Sequence, residues 1–246
     1  MPLKPSTPLP PDQARERILA AALREFSAHG LAGARTDTIA ASAKVNKALL
    51  YYYFKNKESL YVAAFEEVID RVMQNTFAVL DTQCTPGEHL LRLALNHFDR
   101  ILTQHEFQSL MQQEMVRFHH GKSTAIPHLA GKAFAPLLKK IQQAVQQGIR
   151  SGELCNVDWM QVVYSSYGSN VFYFMSAPMM RLSLSVEPFD PAHIALRRKA
   201  AIQFLGNALF VDRAHGARLA RRVLAAMPMP AAGKPPAWRR TLEKNL

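Results

Sequence analysis

The sequence predicts an all-α protein, because apolar residues recur at intervals of three and four along almost every segment that could be ordered. Runs that alternate polar and apolar residues, as strands do, are missing from the same segments. Turn and breaker residues separate the periodic segments, notably Pro86-Gly87, His120-Gly121, the loop 151–154 and the stretch 188–191. A chain of 246 residues can bury the core of one large or two modest domains without disulfides.

The first predicted helix follows a proline-rich segment, residues 1–11, which we expect to be a disordered arm. The helix runs from about Asp12 to His29-Gly30, where glycine favours the left-handed conformation that ends helices. Its apolar residues fall on one face: Ile18, Leu19, Ala22, Leu23 and Phe26. This helix is therefore expected to be the scaffold for the two short helices that follow.

A second, short helix is predicted to begin near Arg35 and to end at Ala43. Either Thr36 or Asp37 can cap its free amides. The turn Lys44-Val45 separates it from the next helix. Two short helices joined by so tight a turn are the arrangement that a protein needs to place one helix in a DNA groove.

The third predicted helix, from Lys47 to Phe54, has one face that packs and one that points outward, and Asn46 caps it. At 100° per residue, the packing face carries Leu50, Tyr53 and Phe54. The outward face carries Ala48, Leu49, Tyr51 and Tyr52. Three consecutive tyrosines could be core residues, but they span about 200° of a helix, so they cannot all be buried on one face.

The rest of the chain is predicted to form longer helices. A fourth helix begins at Lys57, after a cap at Asn56. Further amphipathic helices are predicted at 87–103, 106–119, 124–150, 157–176 and 191–211. Residues 213–246 are basic and rich in proline, alanine and arginine, and we expect a partly disordered tail there.

The positive charge of the chain is concentrated at its two ends. The formal net charge is +11 and the sequence pI is about 9.9. Residues 1–60 carry nine Lys and Arg against five Asp and Glu, and residues 212–246 carry eight against two. This charge suits a polyanionic partner but does not distinguish DNA from RNA or an anionic membrane. The positive charge at residues 1–60 coincides with the short helices, so we assign it to binding. We assign no role to the positive charge at residues 212–246.

Several functional classes lack their motifs in this sequence. Cys84 and Cys155 have neither disulfide spacing nor histidines at metal-ligand intervals, and a reducing cytoplasm fits them best. The N-terminus has no signal-peptide core, and the most apolar stretch, 162–180, is broken by polar residues and proline. Phosphate-loop, hydrolase and metalloprotease motifs are missing. The side chains of His119 and His120 would point about 100° apart on a helix, which is a poor geometry for binding one metal ion. We expect no enzyme, metal, cofactor or membrane span.

The outward face of the third helix is the predicted DNA-binding surface, because the second helix would hold it against the first. Lys47 and Lys57, each at the start of a helix, would contact phosphates. Tyr51 and Tyr52 combine a hydroxyl for phosphate oxygens with ring surface for sugars and thymine methyl groups. The predicted DNA contacts are Arg35, Thr36, Asp37, Lys44, Asn46, Lys47, Ala48, Leu49, Tyr51, Tyr52 and Lys57.

Residues 15–61, RERILAAALREFSAHGLAGARTDTIAASAKVNKALLYYYFKNKESLY, resemble the DNA-binding domain of the TetR/AcrR (tetracycline-repressor) family, and the resemblance covers about 12–72. It rests on a spaced set of residues: Ile39, Ala40, Ala43, Val45, Leu50, Tyr51, Tyr53, Phe54, Lys57 and Leu60. Lys44 stands where the family usually has glycine, and a positive φ there would cost about 0.5–1 kcal/mol. Asp37 stands where a neutral or basic residue is common. It would repel phosphates unless it caps the helix or accepts from a cytosine amine.

The resemblance implies a homodimeric, ligand-responsive transcriptional regulator of the bacterial cytoplasm and nucleoid. Its helix-turn-helix motif would lie at about 35–54 in a DNA-binding domain at 12–72, followed by an effector-binding and dimerisation domain at 73–212. A small-molecule effector would release this repressor from a pseudo-palindromic, double-stranded DNA operator. An activator, a ligand-independent DNA-binding protein of the same fold, and an enzyme or membrane-surface protein with a basic head stay open as alternatives.

The same resemblance implies that the helices at 157–176 and 191–211 form a four-helix bundle with a second subunit. The apolar positions predicted for this surface are Val163, Tyr167, Val171, Phe174, Ile194, Ile202, Leu205, Leu209 and Phe210.

An effector pocket is predicted where polar side chains interrupt apolar helix faces, at His97, Glu114 and Asn170. The candidate ligand-binding residues are His97, Met111, Glu114, Met115, Phe118, Tyr167, Asn170 and Phe174. The methionines and phenylalanines suit an apolar or aromatic effector, although the same residues would make an ordinary core. A neighbouring helix commonly satisfies a buried polar group, so that alternative also stays open.

Overall fold

The computed structural model describes residues 11–123 and 125–231, and these residues are almost entirely helical, as the sequence predicts. Within these ranges the only β-type pairing is an isolated antiparallel bridge between Leu154 and Phe210. The α-helices are α1 (Pro11–Gly33), α2 (Thr36–Ala43), α3 (Lys47–Tyr53), α4 (Lys57–Leu80), α5 (Pro86–Thr103), α6 (His105–His119), α7 (Ala125–Leu129), α8 (Ala135–Arg150), α9 (Trp159–Val163), α10 (Ser169–Leu184), α11 (Pro191–Ala208) and α12 (Arg213–Ala226). Two π-helical turns are π1 (Ala130–Phe134) and π2 (Tyr164–Gly168).

The chain divides into two compact units that do not follow the order of the sequence. The head unit contains the described residues of 1–72 together with 106–133. The bundle unit contains 73–105 and the described residues from 134 onward. This division differs from the sequence prediction of domains at 12–72 and 73–212, because α6 and α7 group with the first helices. The predicted arm at 1–11 lies, except for Pro11, outside the described residues.

Gly30 breaks α1 but does not end it. Its φ of 67° is positive, as glycine allows, but its ψ of 175° differs from the predicted left-handed helical conformation, and helical structure resumes and runs to Gly33. The apolar face of α1 supplies the buried side chains Ile18, Leu19, Ala22 and Phe26. These side chains give the short helices a fixed surface on which to pack.

The turn between α2 and α3 has the predicted geometry. Lys44 adopts the left-handed conformation, with φ 57° and ψ 43°, so the residue that replaces the usual glycine does occupy a glycine-type position. Asn46 caps α3 by accepting from the Leu49 amide at 2.7 Å. The predicted capping of α2 is wrong, because Arg35 is the N-cap residue and provides no side-chain cap. Thr36 and Asp37 lie in the first turn, which leaves their side chains available for other partners.

Polar side chains explain why α6 belongs to the head unit. The Ser109 hydroxyl and the Gln113 amide both donate to the Ser27 carbonyl, at 2.8 and 3.1 Å, near the break in α1. The Tyr61 hydroxyl on α4 donates to Glu114 on α6 at 2.9 Å. These bonds join residues 53 to 86 positions apart, so their pairing depends on the tertiary fold.

Helix α5 is the central element of the bundle unit, and α8, α10, α11 and α12 pack against it. One cluster of its core consists of Phe98, Ile101, Leu102, Phe174 and Ile194. The long helices predicted at 124–150 and 157–176 are interrupted, because π1 and π2 each insert a wider turn. Such turns are frequent at functional sites.

Helix α12 was not predicted, because the sequence indicated a partly disordered tail at 213–246. Asp212 caps it by accepting from the amides of Ala214 and His215 at 2.8 and 3.1 Å. Its buried face consists of Gly216, Leu219, Ala220 and Val223. The arginine-rich composition suggested a solvated segment, but the arginines are the exposed residues of a helix whose other face is buried. The remainder of the predicted tail, 232–246, lies outside the described residues.

Helices α11 and α12 cross so closely that their backbones touch at two glycines. A Cβ atom added to Gly216 would lie 2.0 Å from the Gly206 carbonyl oxygen, and one added to Gly206 would lie 2.7 Å from the Gly216 carbonyl oxygen. Real side chains do not approach backbone so closely, so both positions require glycine. The contact fixes α12 as an integral part of the bundle unit.

The apolar surface predicted for a second subunit was placed on the wrong helix face. Six of its residues are buried inside the bundle unit: Phe174, Ile194, Ile202, Leu205, Leu209 and Phe210. Val163, Tyr167 and Val171 are half-buried. The exposed apolar side chains of α10 and α11 lie on other faces, since the sequence pattern alone cannot say which of two apolar stripes meets the unit's own core.

Candidate DNA-binding surface and effector site

The outward face of α3 is exposed as its periodicity predicts. Tyr52 is 80% exposed and Tyr51 is 40% exposed, whereas Leu50 and Phe54 are buried. Lys47 and Ala48 are exposed, and Leu49 and Tyr53 are half-buried. The ring of Tyr52 meets that of Tyr53 edge-on at 5.3 Å, which supports the exposed ring from beneath. The face therefore presents two phenolic hydroxyls and one ammonium to solvent.

Side chains of α2 and α3 are joined across the turn by an ion pair and a hydrogen bond. The Lys47 ammonium lies 2.8 Å from one carboxylate oxygen of Asp37 and 3.1 Å from the other. The hydrogen bond between them lowers the pKa of Asp37 and raises that of Lys47, and their charge attraction adds to both effects. The hydroxyls of Thr36 and Tyr51 lie 3.3 Å apart. The first turn of α2 and the outward face of α3 thus form one polar surface.

Lys57 differs from the other predicted phosphate contacts, because its ammonium donates to the backbone carbonyls of Ala32 and Ala34, both at 3.2 Å. Ala32 lies in the last turn of α1 and Ala34 directly follows the helix, so Lys57 connects α4 to the end of the scaffold helix. Its contact with DNA stays a prediction. Arg35, Lys44 and Asn46 are exposed around the turn, where the sequence placed them.

The candidate effector residues fall into two groups in different units. The bundle unit holds His97, Tyr167, Asn170 and Phe174, and the head unit holds Met111, Glu114, Met115 and Phe118.

In the bundle unit, a buried polar cluster lies where π2 meets α5. The His97 ring stacks on the Tyr167 ring with centroids 4.2 Å apart. Asn170, only 1% exposed, donates to the Ala94 carbonyl at 3.0 Å. Its carbonyl oxygen has no hydrogen-bond partner among the described residues. Tyr167 also lines a small apolar cavity of about 10 Å³ bounded by α5, α8, α9 and α11, with room for about one water molecule.

His97 is held neutral. Burial lowers its pKa well below the ordinary value of 6.5, and the positive charge of Arg100 acts in the same direction. Burial also raises the pKa of Tyr167 to about 12, against a smaller opposing effect of Arg100. A neutral imidazole and a neutral phenol give the cluster hydrogen-bonding capacity without charge.

The neutral state of His97 predicts a loss of stability in acid. Below pH 6.5 the unfolded chain binds a proton that folded His97 does not, so stability falls as the pH falls. This group contributes up to about 1.4 kcal/mol per pH unit until its folded pKa is reached. We expect His97→Gln to reduce the slope of unfolding free energy against pH between 5 and 6.5, measured by urea denaturation. His120→Gln, at an exposed histidine, should keep the wild-type slope; equal slopes in all three proteins would contradict the expectation.

In the head unit, Glu114 is satisfied by protein groups. Its carboxylate is fully buried and accepts from the Tyr61 hydroxyl at 2.9 Å, from Arg117 Nε at 2.6 Å and from the Ser123 hydroxyl. Burial, followed by the charge of Glu114, raises the pKa of Tyr61. Neighbouring protein groups therefore satisfy the buried carboxylate, which is the alternative to a ligand-binding role. Met115 and Phe118 are exposed and Met111 is half-buried.

Two family models together match most of the part of the chain that the structure describes. The model of bacterial regulatory proteins of the tetR family matches residues 18–64, which include α2, the turn and α3. A model of the tetracyclin repressor-like C-terminal domain matches residues 86–205. The chain belongs to the TetR family.

Individual TetR-family proteins are similar over much of the chain. The HTH-type transcriptional repressor NicS of Pseudomonas putida is 28% identical over 146 residues, which are 58% of this chain and 69% of NicS. The HTH-type transcriptional regulator RutR of Escherichia coli is 26% identical over 172 residues, 68% of this chain and 76% of RutR.

Solved structures agree in fold. A putative transcriptional regulator from Saccharomonospora viridis in complex with choline has a TM-score of 0.66 at 18% identity, covering 81% of this chain and 98% of that one. The regulator FadR from Bacillus subtilis in complex with stearoyl-CoA has a TM-score of 0.58 at 18% identity, covering 77% and 96%.

As a member of the TetR family, the protein is a DNA-binding transcriptional regulator and not an enzyme. Among the described residues there is no group of three or more His, Cys, Asp and Glu side chains that could hold a metal ion. None of the helices in residues 11–123 and 125–231 is long and apolar enough to cross a membrane.

Three residues that contact Glu114 escaped the sequence prediction. Tyr61, Arg117 and Ser123 surround Glu114, and none of them was selected as a candidate. Arg117 carried a partial signal, because it lies three residues after Glu114 on α6, where opposite charges meet. Tyr61 is 53 positions away from its partner, so only the folded chain reveals that contact.

Proposed function

We propose that the protein is a homodimeric repressor that leaves a pseudo-palindromic operator when a small molecule binds in the bundle unit. The observation that carries the DNA-binding part is the exposed face of α3, where Tyr52 projects almost entirely into solvent beside Tyr51 and Lys47. A large aromatic side chain so exposed gains little from folding and suits contact with sugars and base edges. Relatives such as NicS are named repressors, which supports the sign of regulation.

Two apolar stripes on the bundle unit support the homodimer. On α10 the exposed side chains Phe172, Met175, Met179 and Leu182 recur at helical spacing. On α11, Leu196 and Phe204 are exposed about two turns apart, and Val211 is exposed just beyond the end of the helix. A second copy of the chain can cover both stripes with its own, since a twofold interface joins identical patches. To contact successive turns of one DNA face, the two α3 helices of such a dimer would have to lie about 34–36 Å apart or somewhat more.

The buried cluster around Asn170 supports an effector site in the bundle unit. A buried carbonyl oxygen without a partner is costly, and a ligand that donates one hydrogen bond would remove the cost. The stacked rings of His97 and Tyr167 favour a flat, apolar or aromatic molecule. The adjacent cavity is small, so binding requires π2 to move. That movement gives the ligand different affinities for two conformations, which is the requirement for a switch.

DNA selection tests this function directly. The purified protein would be incubated with fragments of genomic DNA, and the bound fragments would be sequenced to define an operator. Compounds that raise the melting temperature of the protein would then be added to the complex. Release of DNA by such a compound supports the ligand-released repressor, whereas binding unaffected by every stabilising compound favours the ligand-independent regulator.

Tyr52→Ala is expected to lower operator affinity about tenfold, because the hydroxyl contact with phosphate and the ring contacts with sugars and thymine methyl groups are lost. The melting temperature should stay near that of the wild type, since exposed substitutions change stability by less than about 0.5 kcal/mol. Gel-shift titration measures the affinity and calorimetry measures the melting temperature. Val116→Ala, at an exposed apolar residue of α6 in the same unit, serves as the control. Unchanged operator affinity in Tyr52→Ala would contradict the proposed surface.

A further inference from the structure

The ion pair between Asp37 and Lys47 places a carboxylate in the middle of the candidate DNA-binding surface. Both side chains are more than half exposed, at 65% and 51%. A carboxylate near phosphates is repelled, so it weakens non-specific binding unless it finds a donor on the DNA. Because Asp37 does not cap α2, helix capping does not account for its presence.

The pair presents a hydrogen-bond donor and an acceptor side by side. The Lys47 nitrogen and an Asp37 oxygen are 2.8 Å apart. In the major groove, a G·C base pair presents guanine O6 and cytosine N4 as neighbours, about 2.9 Å apart, since they are themselves hydrogen-bonded. Guanine O6 and N7 are acceptors, and cytosine N4 is a donor. The pair on the protein is therefore complementary to the edge of this base pair.

We propose that Asp37 and Lys47 together read one G·C base pair in each operator half-site. Lys47 donates to guanine O6 and N7, and Asp37 accepts from cytosine N4. This inference rests on the proposed function, because it requires the outward face of α3 to lie in the major groove. It changes the role of Lys47 from a phosphate contact, as the sequence suggested, to a base contact.

A neighbouring hydrogen bond joins the same two helices, α2 and α3. Thr36, adjacent to Asp37, lies 3.3 Å from the Tyr51 hydroxyl, one helical turn along from Lys47. Lys57, the other lysine predicted to contact phosphate here, is directed at the carbonyls of Ala32 and Ala34. An A·T pair also offers a donor beside an acceptor, but it lacks the two adjacent acceptors of guanine that favour a lysine. The pair should accordingly discriminate for G·C.

The test is selection of duplexes from a library of random sequence, carried out with the full chain and four variants. The wild type should enrich one G·C pair per half-site. Asp37→Ala and Lys47→Ala should each lose roughly tenfold discrimination at that position while all other positions keep their preference. Asp37→Asn should shift the preference toward A·T, because an amide pairs with adenine N6 and N7. Glu67→Gln, which breaks an exposed ion pair with Arg71 on α4, is the matched control.

Two other outcomes would overturn the inference in different ways. If Asp37→Ala binds every sequence more tightly with the consensus unchanged, Asp37 only repels phosphates and Lys47 contacts one. If Lys47→Ala instead weakens all sequences equally and lowers the salt dependence by about one counterion, Lys47 is a phosphate contact. A wild-type protein that enriches no sequence overturns the proposed function itself. Melting temperatures of all variants establish that each is folded.

Discussion

Phe204→Glu is expected to convert the proposed dimer to monomers and to lower operator affinity by at least about 100-fold. Phe204 is 67% exposed on α11, so the isolated subunit tolerates the change. In a twofold interface the substitution occurs twice, and each new carboxylate would have to be buried without a partner. A monomer then contacts only one half-site, and the gain from joining two binding modules is lost. Sedimentation velocity measures the oligomeric state, and gel-shift titration measures the affinity.

Val116→Glu is the matched control for this substitution. It places the same charge on an exposed apolar residue of α6, in the head unit. This variant should remain dimeric and should bind the operator. A Phe204→Glu protein that stays dimeric at micromolar concentration would show that α11 does not face the second subunit. Circular dichroism would establish that both variants keep their helices.

Arg198→Met is expected to lower the free energy of unfolding by about 3–5 kcal/mol, the range for breaking a buried ion pair from one side. Arg198 is buried and binds Asp99 through two parallel hydrogen bonds of 2.7 and 2.8 Å. Its guanidinium also donates to the Met227 carbonyl at 2.7 Å, just after α12. The substitution leaves the Asp99 carboxylate without its cation and frees the end of α12. Urea denaturation followed by circular dichroism measures the change.

The pH dependence of the Arg198→Met effect has a definite sign. Burial raises the pKa of Asp99 in the wild type, and the hydrogen bonds from Arg198 partly oppose this. Without Arg198 the pKa should rise further, so the folded variant is stabilised by a proton as the pH falls. The difference from the wild type should therefore be smaller at pH 4 than at pH 7. Arg221→Met, at an exposed arginine of α12, should change stability by less than about 0.5 kcal/mol.

Helix positions were predictable wherever local chemistry decides them. Helix α5 was expected at 87–103 and occupies 86–103, because Pro86-Gly87 marks its start and apolar residues repeat along its face. The cap at Asn46 and the left-handed residue at Lys44 follow from short-range geometry as well. The π turns were not predictable, since a single wider turn leaves the apolar spacing on either side almost unchanged.

The candidate site was predictable only in part, for a related reason. Periodicity alone indicated that Tyr52 faces outward, because three consecutive residues cannot share one face. The carbonyl partners of Lys57 and the Tyr61 partner of Glu114 could not be anticipated, since they lie 23 to 53 positions away along the chain. The exposed stripe on α11 was missed because several of its helix faces carry apolar residues, and only the fold shows which face meets the unit's own core.

The glycine crossing of α11 and α12 sets where this protein can be shortened. A fragment that ends at residue 212 would follow the sequence-based boundary of the tail, but it would strip α12 from α11. Without α12, the face of α11 at Gly206 would expose main chain beside apolar side chains. Another helix can pack on this face as closely as α12 does. Such fragments would therefore associate through an artificial contact. Oligomeric state is informative only for proteins that retain residues 213–226.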